Sequence, residues 1–284
     1  GWLGDDSEKT GTDGVRAVGK FRKRELIYKD ILALYAERAA SGKGYIKNSD
    51  SNCKMILFQS FAGGSGASTM AAATAIHFAR AGEKVLYLNL EATGSSANFF
   101  KGEGNYSFEE VIYALKSKKA NLYLKMESSV RRSADGVYFY APCKMAMFML
   151  ELTDEEIMEI LMTLKNATDY TKVIVDMAFA LTDRCLTVMD YADKIVVVNE
   201  GTDIANTKFI RTVRALEIFE EQKGMRILDH VIMVYNKFSS SKSSNEIGGS
   251  SIPVAGKVPP VKHASVQEII QIILSRADTL EKLG

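Results

Sequence analysis

Met55-Ile-Leu-Phe-Gln-Ser-Phe-Ala-Gly-Gly-Ser-Gly-Ala-Ser-Thr-Met-Ala-Ala-Ala73 is the stretch that decides the fold. It opens as a buried strand, turns through Gly63, Gly64 and Gly66, and continues as an alanine-rich helix. Bare backbone N–H groups in such a turn, together with the helix N-terminus, form a concave positive nest that suits phosphate oxygens. Ser68 stands where the hydroxyl of a phosphate loop would ligate Mg²⁺. The ordinary pattern, G-x-x-x-x-G-K-S/T, is nonetheless broken twice, because Phe61 replaces its first glycine and Ala67 its lysine.

Outward from this loop, short apolar runs alternate with helical patterns. Strands are expected near Met55–Gln59, Val85–Leu90, Val137–Tyr140, Val173–Asp176, Ile195–Asn199 and Val231–Asn236. That alternation predicts an α/β fold: a doubly wound, mostly parallel sheet with helices on both faces. Thr153 to Glu156 has capping-box spacing ahead of Ile157, Ile160, Leu161 and Leu164, and Ser107 precedes Phe108, Val111, Ile112 and Leu115 in the same way. Towards the N-terminus, turn formers at 1–14, a short strand at Val15–Val18, a helix over 22–40 and a linker at 41–52 are expected. A lone strand and helix cannot bury a core, so this segment either docks on the main domain or ends a preceding one. Ser239–Ser251, rich in serine and glycine, reads as a mobile surface loop.

The 284 residues correspond to about two average domains, and 46% hydrophobic content suffices for one sizeable core. Lys plus Arg number 36 against 35 Asp plus Glu, a net charge of +1, too balanced for a chain devoted to coating nucleic acid. No apolar run approaches the roughly 20 residues that cross a bilayer, and the acidic, glycine-rich start has no targeting signature, so a soluble cytoplasmic protein is expected. Cys53, Cys143 and Cys185, and His77, His230 and His263, lack metal-ligand spacing. The cysteines read as inert thiols and His77 as a core or flanking residue of its helix.

Three further features follow the loop in order: a strand ending Leu88-Asn-Leu-Glu91 before Gly94, a strand Val173-Ile-Val-Asp176 ending in a carboxylate, and a strand ending Asn236-Lys237 ahead of a turn at Gly256-Lys-Val-Pro-Pro260. From about Asn52 to the C-terminus the sequence thereby resembles the deviant Walker A ATPases of the MinD/ParA superfamily (SIMIBI class). Their loop reads K-G-G-x-G-K-S/T. Ala62-Gly-Gly-Ser-Gly-Ala-Ser68 keeps the glycines and the hydroxyl and loses both lysines. The loop, the strand Leu86–Glu91 and the helix Leu26–Leu32 resemble most the TadZ/CpaE-like pilus-assembly ATPases, in which a receiver-like domain precedes the ATPase domain. That resemblance implies a division into 1–50, the tail of a receiver-like domain with its connector helix and linker, and 51–284, the ATPase domain.

The resemblance implies ATP and Mg²⁺ as cofactors. Gly63, Gly64, Ser65, Gly66, Ala67, Ser68 and Thr69 would bind the phosphates, with Thr69 near the α-phosphate and Ser68 and Asp176 holding the metal. Asp176 corresponds to the Walker B carboxylate, Glu91 to the switch carboxylate that orients water, and Asn89 to an earlier aspartate. Asn236 matches the adenine-reading residue, with Lys237 beside it and Pro259 in a loop that brushes the base. Met177-Ala-Phe179 departs from the usual small-Pro-Pro. Arg184 and Lys237 are the nearby candidates to replace the lost lysines.

Losing a cation aimed at the γ-phosphate commonly costs about 10²-fold or more in rate, so hydrolysis should be slow while binding survives. The expected function is an ATP-binding, weakly or non-hydrolysing homodimer that localises pilus or secretion machinery, at a cell pole or the inner face of the membrane through its partners. One alternative is an active ParA-type partition ATPase on nonspecific DNA, with Lys208, Arg211 and Arg214 as a basic stripe. Glu217, Glu220 and Glu221 follow that stripe directly, so strong nucleic-acid binding is not expected. A second alternative is a nucleotide-free pseudo-ATPase scaffold. A kinase of this superfamily would need an intact loop and a C-terminal tyrosine cluster, and no tyrosine follows Tyr235. Val266, Ile269, Ile270, Ile273, Leu274 and Leu280 give the last helix an apolar face. Glu268, Asp278 and Glu281 disfavour anionic lipid, so that face should pack on the sheet.

Overall fold

The structure is a computed structural model and describes residues 3–4, 18–19, 22–38, 52–118, 120–167, 169–245, 247 and 250–284. In chain order its elements are β1 (Leu3–Gly4), β2 (Val18–Gly19), α1 (Arg24–Arg38), β3 (Lys54–Gln59), α2 (Ala67–Arg80), β4 (Val85–Asn89), α3 (Ser96–Phe99), α4 (Phe108–Ser117), α5 (Leu122–Ser129), β5 (Arg131–Arg132), β6 (Tyr138–Phe139), α6 (Met147–Leu150), α7 (Asp154–Ala167), β7 (Lys172–Asp176), α8 (Asp183–Tyr191), β8 (Lys194–Asn199), α9 (Asp203–Lys223), β9 (Val231–Tyr235), β10 (Val254–Lys257), α10 (Val266–Leu274) and α11 (Ala277–Leu283). Of the expected strand at Val15–Val18 only Val18 lies within the described residues; the turn-rich start is outside them except for Leu3 and Gly4, and the linker except for Asn52.

The main sheet runs β10-β9-β8-β3-β7-β4-β6-β5 and is parallel except where β5 meets β6. Side chains alternate across it with the period of two that a pleated strand imposes. Met55 and Leu57 of β3, with Ile195 and Val197 of β8, join one buried cluster that includes α4, α7, α8 and α9 residues. Ile56, Phe58, Val196 and Val198 join the other, under α2, α10 and α11. The sheet is therefore doubly wound, with a core on each face. Ala71, Ala72, Ala73 and Ala75 are wholly buried, and their small side chains let α2 lie close against the central strands.

The expected capping box at the start of α7 is formed: Glu156 N–H donates to Thr153 Oγ1 at 3.2 Å and Thr153 N–H donates to Glu156 Oε2 at 2.9 Å. Ser107 does occupy the N-cap of α4, but its hydroxyl caps no N–H there. Glu109 and Glu110 place negative charge in that first turn, where it suits the helix dipole. The segment read as a turn at Gly256 begins instead as an edge strand, β10, paired with β9. Its glycine is needed because a Cβ would come within 2.2 Å of Thr279 Oγ1 on α11. The apolar C-terminal face is split into two helices. Ile270 and Ile273 are buried beside α2, Leu280 and Leu283 beneath β10, and Val266 stays exposed.

α1 docks on α5. Asn121 N–H donates to Ala36 O, Lys29 Nζ to Val130 O and the buried Lys125 ammonium to Glu37, the last two at 2.5 and 2.9 Å. The segment expected to be a mobile loop is anchored at its start. Ser243 Oγ donates to Glu200 O, Ser244 N–H to Gly201 O and Asn206 Nδ2 to Ser244 O. Serines that offer nothing to a hydrophobic core still satisfy backbone groups, which tethers 239–245 to the start of α9.

Candidate nucleotide site

The sheet register brings the site together. β3 lies between β7 and β8, and the glycine turn leaves its C-terminal end, where ligands bind in open parallel sheets. Across the strands Phe58 pairs with Asp176 and Asp176 with Asn89, so the C-terminal ends of β3, β7 and β4 lie level to within one residue.

The turn itself is built for close approach. Gly63, Gly64 and Gly66 have φ of 75°, 70° and 86°, a left-handed region that costs a side-chain-bearing residue about 1 kcal/mol or more. At Gly66 space is also lacking, since a Cβ would sit 2.6 Å from Asn236 Nδ2. That amide nitrogen donates to Ser65 O at 2.7 Å, and the buried Ser65 hydroxyl donates to Val198 O at 2.7 Å. Gly63 N–H donates to Ser60 Oγ at 3.2 Å. The loop is thus braced from β8 and β9. α2 begins at Gly66 with no side-chain cap, leaving the amides of its first turn for an anion. Phe61, where the ordinary motif has glycine, is buried with its ring centroid 4.4 Å from Phe179 and 5.8 Å from Phe209. The loop's first bend is held by aromatic packing, and the same contact engages the Met177-Ala-Phe179 departure.

Beneath the helix start, Ser68 Oγ donates to Asp176 Oδ1 at 3.1 Å. Asp176 is 1% exposed, and its Oδ2 accepts from Tyr87 Oη at 2.6 Å and Asn89 Nδ2 at 2.8 Å. Burial pushes its pKa up to about 6; the Tyr87 hydrogen bond opposes the rise and the charge of Glu91 adds to it. Burial and the neighbouring carboxylate hold the Tyr87 phenol well above its ordinary range. Tyr87 escaped the sequence reading. Its signal is the period of two: Tyr87 and Asn89 share one face of β4.

Glu91 lies just past β4, half-buried, and burial raises its pKa. With Asn89, Gly94, Tyr140, Cys143 and Met149 it lines a cleft of about 330 Å³ open to solvent. Gly94 is required there, because a Cβ would fall 2.2 Å from Asn89 Oδ1. Thr69 follows Ser68 in the first turn of α2. Pro259 is exposed beyond β10, where Val258 N–H donates to Tyr235 O and Phe238 N–H to Val258 O, holding that segment beside Asn236 and Lys237.

The two candidate replacement cations separate. Arg184 is committed elsewhere, with Nε donating to Asp154 Oδ1 at 2.7 Å and Nη2 to Leu152 O at 2.6 Å. Lys237 reaches the loop: Nζ donates to Gly64 O at 2.6 Å and to Glu200 Oε1 at 2.9 Å. Lys208 of α9, expected only as part of a basic stripe, donates to Ala62 O at 3.3 Å. Arg211 and Arg214 are exposed on the same helix. The cysteines are free, and burial pushes the Cys53 and Cys143 thiols up to about 11 and raises Cys185. His77 pairs with Glu281 at 2.7 Å beside the ring of Phe78.

Among the described residues no group of three or more His, Cys, Asp or Glu side chains could hold a metal alone. A serine hydroxyl touching one buried carboxylate is, however, the hard-oxygen donor set that Mg²⁺ shares with phosphate oxygens and water, so the residues present fit that ion. Among the described residues no helix is long and apolar enough to cross a membrane.

No family profile and no curated protein matches the sequence. Solved structures do. The chain is similar to a ParA family ATPase from Chlorobium tepidum TLS, with 16% identity, a TM-score of 0.63, and 81% of this chain and 97% of that one covered. It is similar to the septum site-determining protein MinD of Pyrococcus horikoshii OT3 complexed with Mg-ADP, with 16% identity, a TM-score of 0.60, and 80% and 94% covered. A plasmid partition protein of Borrelia burgdorferi B31 bound to AMPPNP gives 13% identity, a TM-score of 0.53, and 81% and 97% covered. With nearly the whole of each solved chain matched at such low identity, this chain has the fold of the MinD and ParA ATPases.

Proposed function

We propose that this chain binds Mg²⁺–ATP and acts as a slow or non-hydrolysing nucleotide switch whose ligand biases its self-association. One observation carries the reading: the Ser68 hydroxyl lies 3.1 Å from the Asp176 carboxylate under an α2 N-terminus with no side-chain cap. The first-turn amides with Gly63, Gly64 and Gly66 would hold the phosphates, and Ser68 and Asp176 the metal. Bound Mg²⁺ would supply neutralisation of phosphate charge. Glu91 would orient water, while Asn236, Lys237 and Pro259 would face the base. Ala62 and Ala67 leave the loop with no lysine of its own, which removes stabilisation aimed at the transferring phosphoryl group and makes turnover slow.

The finer reading, a homodimeric factor that positions pilus or secretion machinery, rests on the resemblance to TadZ/CpaE-like proteins. So does the assignment of 1–50 to the end of a preceding domain. Partition activity on DNA is the second reading, favoured by the ParA and plasmid partition proteins among the similar structures and by exposed Arg211 and Arg214 on α9. Titration calorimetry with Mg²⁺–ATP, with the dimer fraction measured by light scattering, tests the lead. Neither heat nor altered association at millimolar nucleotide would reject it. A mobility shift with nonspecific duplex that disappears on adding salt would favour the partition reading.

A further inference from the structure

We infer that Lys208 and Lys237 supply from outside the loop the positive charge its own sequence lacks, and that they grip the polyphosphate chain of the nucleotide. The inference rests on the nucleotide-site reading above. Residues 60–69 contain no charged side chain. Two ammonium groups from elsewhere nevertheless meet on this short turn, Lys208 on the carbonyl of Ala62 and Lys237 on that of Gly64, at 3.3 and 2.6 Å. Ala62 is the position from which the MinD/ParA pattern projects its first lysine.

Both lysines are placed by the fold, Lys237 at some cost. Lys237 immediately follows the β9 end and Asn236, and has a left-handed backbone, φ 57°, which a non-glycine residue adopts only against a local penalty. That conformation directs it back at the loop that Asn236 braces. Lys208 sits in the second turn of α9, the helix whose Phe209 packs on Phe61 at the start of the same loop. Adjacent residues of α9 thus hold the bend and carry a cation to it.

Neither lysine is locked away. Lys208 makes no ion pair among the described residues, and its one hydrogen bond is to a neutral carbonyl. The Lys237 side chain is 47% exposed, and Glu200 occupies one donor and Gly64 O another of its three. An ammonium on a neutral carbonyl gains by moving to an anionic oxygen, since a full negative charge attracts it more strongly than a carbonyl dipole does. The ligand chemistry that follows is a nucleoside polyphosphate held through its phosphate chain.

Calorimetric titration of the full chain with Mg²⁺–ATP, and separately with inorganic tripolyphosphate and Mg²⁺, tests this. The series is wild type, K208Q, K237Q, K208Q/K237Q and K208R/K237R, with ligand-free melting recorded for each. Each glutamine should weaken both ligands by about 10- to 100-fold, the range expected for one hydrogen bond to a charged group. The arginine pair should restore most of that affinity, and ligand-free melting should not move. Wild-type affinity in K208Q/K237Q would overturn the inference while leaving the site reading intact. Equal losses in the glutamine and arginine pairs, accompanied by lower melting, would reduce the lysines to loop props and also overturn it. A wild-type chain that takes up neither ligand would overturn the site reading and this inference together.

Discussion

Replacing Asp176 by Asn should stabilise the ligand-free chain while abolishing the Mg²⁺-dependent part of nucleotide binding. The carboxyl is 1% exposed, and its pKa is raised from 3.8 to about 6, mainly by burial. A carboxyl so raised keeps its proton longer in the folded than in the unfolded chain. The folded state therefore loses stability as pH climbs from about 4 through about 6, and the loss is complete above that. The difference between 3.8 and about 6 corresponds to ~3 kcal/mol at pH 7. Asparagine escapes this cost and keeps the contacts: its amide oxygen accepts from Tyr87 and Asn89, and its amide nitrogen donates to the Ser68 hydroxyl. Urea unfolding of both proteins between pH 4 and 8 measures the effect. The variant should gain little at pH 4 and up to ~3 kcal/mol at pH 7, the gap opening through the titration of Asp176. Calorimetry on the same samples should find Mg²⁺ no longer improving ATP affinity. A variant less stable than wild type at pH 7, or a gap that ignores pH, would refute the argument that an uncompensated buried charge stands ready for a cation.

Three other substitutions probe the site's construction. Tyr87→Phe removes the hydroxyl that donates to Asp176 at 2.6 Å, so the carboxyl should titrate higher still and the pH midpoint of Mg²⁺-dependent binding should move up, with a stability loss of about 1–3 kcal/mol at pH 7. An unmoved midpoint would remove Tyr87 from the site. Gly66→Ala meets both a φ of 86° and Asn236 Nδ2 at 2.6 Å; thermal melting should fall and ATP affinity drop, the strain alone amounting to roughly 1–2 kcal/mol. Phe61→Gly would restore the first glycine of the ordinary motif, yet it should destabilise the chain by about 3–5 kcal/mol by emptying the space between Phe179 and Phe209. Equal or better stability in chemical denaturation would show that the aromatic contact does not hold the loop.

Local pattern was enough for much of this protein. Runs such as Ile195-Val-Val-Val198 are β-branched, and each is separated from the next by a helical pattern, so the strands and the doubly wound architecture were legible. The glycine turn was legible because left-handed backbone leaves few alternatives to glycine, and the carboxylate at the end of β7 because it interrupts an apolar run. Pattern misjudged the Gly256 segment, where glycine serves a close approach to α11 and not a turn. It did not show the tether at the start of the serine-rich loop, because hydroxyl and amide bonds to backbone leave no trace in hydropathy.

Sequence by itself determined where a glycine turn leaves the first strand of the main sheet and that residues 60–69 carry no lysine, since both are properties of consecutive residues. Only the tertiary structure decided which distant side chains converge there. Tyr87 reaches Asp176 from 89 positions away, Lys237 reaches Gly64 from 173, and Lys208 reaches Ala62 from 146, while Arg184, nearer in sequence to Asp176, turns to Asp154. Register and helix docking set those meetings, and both follow from burying two apolar faces of one sheet at once. The charge on the loop is therefore a property of the packed chain, which no window of sequence contains.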